Sequence, residues 1–226
     1  MRIFALSDLH LSFSCEKPMD VFGDAWKDHA ARIEENWQNV VSEEDVVLVA
    51  GDISWAMSMQ EAREDLDFLE RLNGTKIILR GNHDYWWSSA TKVRSAVSDS
   101  ILVVQNNSFC FGNYVIGGTR LWTIPNEETK PEDFKIYSRE LERLKLTLKS
   151  MPDGQEKILM THYPPIDLSN MNTPASAIMK EYGVSTVVYG HLHGRAHHAA
   201  VTGEHDGIRY MLTSADYLKF TPVLIC

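Results

Sequence analysis

Apolar positions along this chain fall into two kinds of pattern. Five short runs, residues 2–7, 46–50, 76–80, 157–161 and 186–189, are rich in apolar and β-branched side chains with little alternation. Continuous apolarity of this length predicts strands covered on both faces. Between them, apolar residues recur at helical spacing. Trp26, Ala30, Ile33, Trp37 and Val40 form one stripe. Ala62, Leu66, Leu69 and Leu72 form another, preceded by Ser58-x-x-Glu61, which has capping-box form, and followed by Gly74 as a stop. A third stripe runs Phe134, Tyr137, Leu141, Leu144, Leu148, with Pro131 suited to its first turn, and Thr173-Pro174 can open a fourth helix. These stripes read as core faces and carry no chemistry. Phe109-Cys110-Phe111, Gly112-Asn113 and Tyr114-Val115-Ile116 predict a β-hairpin, and residues 208–213 and 222–225 predict further strands. Crossovers mixed with hairpins predict an α/β chain of one or two mixed sheets sandwiched by helices. No linker, low-complexity tract or repeat interrupts the pattern, so residues 1–226 read as a single domain.

Composition narrows the classes. Lys and Arg total 22 against 31 Asp and Glu, a formal charge of −9. That balance argues against non-specific binding to nucleic acid or to an anionic membrane, since both need basic patches. An apolar share of 44% excludes a disordered chain. No apolar run approaches the ~18–20 residues of a membrane helix. The apolar start is cut short by Asp8, too early for a signal peptide. Cys15, Cys110 and Cys226 show no CxxC spacing, against a disulfide scaffold or thiolate cluster. The expectation is a soluble, cytoplasmic protein with no membrane partner. Nine histidines stand out.

Metal-ligand residue types follow each of the five apolar runs at once: Asp8-Leu9-His10, Gly51-Asp52, Gly81-Asn82-His83-Asp84, Thr161-His162-Tyr163-Pro164-Pro165 and Gly190-His191-Leu192-His193-Gly194. In open α/β sheets the C-terminal strand ends gather at one edge, where ligands bind. Residues two apart in an extended segment point the same way, so Asp8/His10 and His191/His193 can each offer two ligands. The donors are nitrogen and oxygen only, which suits Mn, Fe or Zn better than a soft-metal site. Seven ligands are too many for one tetrahedral ion and fit two ions sharing a carboxylate, about 3.5–4 Å apart.

In this order the five motifs resemble the calcineurin-like metallophosphoesterase superfamily. The resemblance spans positions 8–193, with no ligand position substituted. It implies a fold of two mixed β-sheets in a sandwich flanked by α-helices. It also implies a site in which Asp8, His10 and His193 hold one metal, Asn82, His162 and His191 hold the other, and Asp52 bridges them. His83 then acts on the substrate phosphate, and Asp84 orients and polarises His83, as carboxylates commonly do for histidine. The implied chemistry is phosphoester hydrolysis by a bridging hydroxide, with two divalent or mixed-valence ions lowering the pKa of water. His83 stabilises developing charge and protonates the leaving oxygen. The ions' own charge outweighs two ligand aspartates and a hydroxide, so an acidic protein can present a local positive focus.

The expected substrate is a small soluble phosphomonoester or phosphodiester. A nuclease or cyclic-nucleotide phosphodiesterase would use the same motifs. A non-catalytic binding module on the same fold would be expected to lack a ligand or His83, and none is missing. Residues 12–24, 55–59 and 120–131 hold most of what can shape specificity. Trp55 and Tyr85-Trp86-Trp87 carry two readings, stacking on a base or sugar and packing under the site loops. Arg120 can grip an anionic group, though a surface arginine is the simpler reading. His197, His198 and His205 read as solvated loop residues because the ligand set is already complete. The acidic segment 61–70 reads as a solvated helix face.

Overall fold

The apolar runs are strands, and they divide between two sheets. In the computed structural model, which describes residues 1–226, β1 (Ile3–Ala5), β2 (Val46–Val49), β3 (Thr75–Ile78) and β4 (Ile101–Val103) lie parallel in sequence order. The strand β11 (Val223–Leu224) pairs antiparallel with β1 and gives the order β11-β1-β2-β3-β4. The other sheet contains β5 (Ser108–Phe111), β6 (Tyr114–Thr119), β7 (Glu156–Thr161), β8 (Val184–Tyr189), β9 (Gly203–His205) and β10 (Ile208–Leu212). Its order is β5-β6-β7-β8-β10-β9, with β6, β7, β8 and β10 parallel and the two edge strands antiparallel. The predicted hairpin is β5–β6, turning at Gly112-Asn113. Both sheets are mixed and carry helices, as expected of the α/β class.

The chain divides into two compact units, one of Met1–Val103 with Thr213–Cys226 and one of Val104–Leu212. The first holds the β1 sheet with α1 (His29–Val40), α2 (Arg63–Arg71) and α3 (Ala90–Arg94). Ile33 and Trp37 from α1 and Leu66 and Leu69 from α2 share its core with Val47 and Val49 of β2. Full burial of such a side chain contributes roughly 1.5–3 kcal/mol. The Trp37 indole N–H finds the Asn73 carbonyl at 2.9 Å, so the ring is buried without an orphaned donor. The second unit holds the β7 sheet with α4 (Pro131–Lys149) and α5 (Pro174–Glu181). Leu144 and Leu148 of α4 and Met179 of α5 share its core with Val115, Leu159 and Val187. Pro131 opens α4, and Thr173 caps α5 by accepting from the Ser176 amide at 3.1 Å.

Some details depart from the pattern. Trp26 belongs to a 3-10 turn, Asp24–Trp26, and α1 begins only at His29, because Asp28 reverses the chain in a left-handed conformation (φ 51°). The capping box closes one turn ahead of α2. The Ser58 hydroxyl accepts from the Glu61 amide at 3.3 Å, while the Glu61 carboxylate reaches the Met57 amide at 2.8 Å. The segment 61–70 is not wholly solvated: Asp65 is buried, on the face that also buries Leu66 and Leu69.

Candidate metal centre

In the first unit, parallel pairing brings the C-terminal ends of β1, β2 and β3 to one edge of their sheet. Pairing continues past the strands. Asp8 N donates to Gly51 O (2.9 Å), His10 N to Asp52 O (3.0 Å) and Leu11 N to Ile53 O (2.9 Å), so the first two ligand loops run side by side. His10 Nε2 lies 3.8 Å from Asp52 Oδ2, and Asp52 Oδ1 accepts from the His83 amide at 2.8 Å. His29 Nε2 donates to the His10 carbonyl at 3.2 Å and tethers the first loop to the start of α1. Asp8, His10 and Asp52 are all buried, whereas Asn82 and His83 are half-buried.

All three buried residues have positive φ: 58° at Asp8, 47° at His10 and 52° at Asp52. Non-glycine residues seldom adopt this conformation, and it persists where the surroundings enforce it, commonly at functional sites. Two carboxylates and an imidazole buried together also carry a large desolvation penalty unless a cation offsets it. Strain, burial and donor chemistry thus fit a hard or borderline metal ion. Gly81 makes the crossing possible, since a Cβ there would meet Asp52 Oδ1 at 2.0 Å and Asp52 N at 2.3 Å.

Asp84 differs from its expected role. Its carboxylate does not orient the His83 ring, and the buried His83 Nδ1 has no hydrogen-bond partner. Five N–H groups take up the Asp84 oxygens. Oδ2 accepts from Gly81 N (2.7 Å) and Asp52 N (2.9 Å), and Oδ1 from Ile53 N (2.8 Å), Ser54 N (3.2 Å) and Trp86 Nε1 (3.0 Å). Asp84 therefore pins the Asp52 loop to the Asn82 loop. Burial, with the neighbouring Asp52 charge second, pushes its carboxyl up to about 7, against the pull of those backbone donors.

Sequence reasoning missed a partner in this clamp. Asp65 accepts from the Ser54 hydroxyl and, at 2.9 Å, from the Phe13 amide, so α2 holds the loops after β1 and β2 together. Burial raises its carboxyl above the usual value. The signal was present: Asp65 lies three residues after Ala62 and four before Leu69, on the stripe that packs inward. The aromatics also sort themselves. Trp86 and Trp87 are core residues. Trp55 stacks on the His10 ring (centroids 4.9 Å apart, planes at 21°) and points its N–H at Met19 Sδ. Only Tyr85 of this group is exposed, edge-on to His83 at 6.1 Å.

In the second unit, β6 and β7 are followed at once by Arg120 and His162, and β8, past Gly190, by His191. The Arg120 carbonyl accepts from both His162 N (3.1 Å) and Tyr163 N (3.0 Å), and Gly190 N donates to His162 O (3.2 Å). His162 is buried, and its ring lies edge-on to His191 at 5.1 Å. His191 has φ 73°, and Tyr163 packs on its ring at 4.2 Å. His193, half-buried, precedes the 3-10 turn Gly194–Ala199. Arg120 is not a plain surface arginine. Its side chain is 23% exposed, lies 3.9 Å from the buried Glu140 carboxylate and covers the Trp122 ring at 4.7 Å. His198 is exposed, as expected, while His197 and His205 are half-buried.

No helix is long and apolar enough to cross a membrane. Over 88 residues the chain is 32% identical to an uncharacterized protein, MJ1445, of Methanocaldococcus jannaschii, a match covering 37% of this chain and 47% of that protein. The matched part thus spans about half the length of this curated relative. Among solved structures, the phosphopantetheinyl hydrolase of Mycobacterium tuberculosis is similar with a TM-score of 0.63 at 16% identity, covering 99% of this chain and 95% of that one. Protein AQ665 of Aquifex aeolicus is similar with a TM-score of 0.54 at 15% identity and the same coverage. At such identities the likeness is one of fold. The sequence profile of the calcineurin-like phosphoesterases matches residues 1–195, and the chain belongs to that family.

Proposed function

We propose that this chain hydrolyses the phosphoester bond of a small soluble molecule at a pair of transition-metal ions, Mn, Fe or Zn. The family is one of metal-dependent phosphoesterases. The proposed ligands are Asp8, His10 and His193 for one ion, Asn82, His162 and His191 for the other, and Asp52 shared. The observation that carries this reading is the left-handed backbone at Asp8, His10, Asp52 and His191, four of the seven proposed ligands. Residues held in this sparsely populated conformation cluster at functional sites, and here they coincide with the ligand motifs.

Bound there, the ions supply a nucleophile from water near neutral pH and neutralise charge on the phosphate. The protein's share is positioning. The Asn82 amide donates to a phosphate oxygen. His83, packed against Trp55 with ring centroids 4.5 Å apart, stabilises developing charge and gives a proton to the leaving oxygen. Asp84 and Asp65 keep the loops in register. A cytoplasmic setting accords with three cysteines that remain free thiols.

Metal content and turnover test the reading together. Protein reconstituted with Mn, Fe or Zn should hold close to two ions per chain, and Asp52→Ala should lose most of both. His83→Ala should keep its metal and lose about 10²–10⁴-fold in turnover of an aryl phosphate. Full metal retention by Asp52→Ala would overturn the shared-ligand role.

A further inference from the structure

The geometry points to a pocket in the second unit for the alcohol portion of the substrate, an uncharged apolar group of about benzyl size. The inference rests on the reading of His191 as a metal ligand. His191 lines a cavity of about 220 Å³ together with Ile124, Tyr163, Pro164, Leu192 and Asp167. An apolar cavity of about 150 Å³ accepts benzene, so this one holds a ring with a short linker. It falls below the ~300 Å³ at which whole-ligand sites begin, which suits one part of a substrate whose phosphate is held elsewhere.

Its walls select by charge as well as size. None of the lining residues is Lys or Arg, and Asp167 contributes the one carboxylate. That carboxylate is fixed by the Ser169 amide (2.8 Å), the Ser169 hydroxyl (2.5 Å) and the Asn170 amide (2.8 Å), so it does not swing away. A second phosphate in this pocket would face a fixed like charge with no lysine or arginine in the lining to pair with it. Polyphosphate nucleotides and nucleic-acid strands are thereby disfavoured. The apolar wall is rigid too, since Tyr163 is buried between Trp122 (5.1 Å) and His191 (4.2 Å).

Benzyl phosphate and methyl phosphate, given to the zinc-loaded protein, separate the pocket from the phosphate site. The expected kcat/KM ratio favours benzyl phosphate at least tenfold, and Ile124→Trp, which fills the pocket, should erase the ratio while leaving methyl phosphate turnover within about twofold. In methyl NMR spectra, benzyl alcohol should shift the Ile124 and Leu192 signals, and Ile124→Trp should weaken its binding at least fivefold. Asp167→Asn should raise turnover of 1,3-propanediol bisphosphate at least fivefold. An unchanged benzyl-to-methyl ratio in Ile124→Trp, or benzyl alcohol shifts confined to other methyls, would overturn the pocket. No gain in Asp167→Asn would overturn its charge selection. Failure of the Mn, Fe and Zn forms alike to cleave either ester would instead sink the metal-site reading, and the NMR titration would still decide the pocket.

Discussion

At Gly81 the fold leaves no room for a methyl group. A Cβ would press on both the Asp52 carboxylate and the Asp52 amide, and neither is the free end of a flexible side chain. Gly81→Ala should therefore displace the Asp52 loop, lower stability by about 1–3 kcal/mol in urea melts and reduce bound metal measured on the same sample. Unchanged stability and metal content would show that the two loops can part without cost. Residue types and motif spacing single out Asp8, His10, Asp52, Asn82, His162, His191 and His193 as candidate ligands. The duties of Asp84 and Asp65 were not readable, because they are set by which backbone amides the loops turn inward. That depends on the three-dimensional path, as the five donors around Asp84 show.

At the scale of elements, the α1–β2 connection is fastened to β1 through Asp45. Its carboxylate accepts from Arg2 N (2.7 Å), Arg2 Nη2 (2.6 Å), Ser42 N (2.9 Å) and Ser42 Oγ (2.8 Å). Burial alone would raise this carboxyl, but the bonds from Arg2 and Ser42 outweigh it and hold it well below the ordinary 3.8. A carboxyl depressed on folding gives stability that is complete above its unfolded value and lost as pH falls toward its folded value. Asp45→Asn should thus be less stable than the parent at neutral pH, and its stability should decline less steeply below pH 3.8. Parallel acid slopes for the two proteins would refute this. Elements of four residues or more with an unbroken apolar run, such as β2 and β7, were legible from the sequence. The three-residue β4 and β9 and the five-residue α3 were not, since so few positions establish no period. The box at Ser58 and Glu61, read from the sequence as the cap of the helix, closes a turn ahead of α2 instead, because its hydrogen bonds fall on the Met57 and Glu61 amides rather than on the helix.

For the molecule as a whole, the proposed metal site would tie stability to the ions it holds. A ligand that binds only the native state at 1,000 times its Kd adds about 4 kcal/mol. Treatment with a chelator should therefore lower the calorimetric Tm, and readdition of Zn or Mn should restore it. Equal Tm values with and without metal would mean that the proposed ligands do not bind it. A different consequence follows from the pairing of β1 with β11. Phe4 sits opposite Leu224, and the Ser7 amide donates to Thr213 O at 2.8 Å, across almost the full length of the chain. At synthesis rates of 5–20 residues per second, β1 leaves the ribosome roughly 10–45 s before its partner exists. Through that interval the nascent first sheet has an open edge beside β1, a template for pairing with other chains. The unit Val104–Leu212 is one continuous segment and waits for nothing downstream. The window for misassembly during translation therefore belongs to the first unit, and it closes only when residues 213–226 arrive.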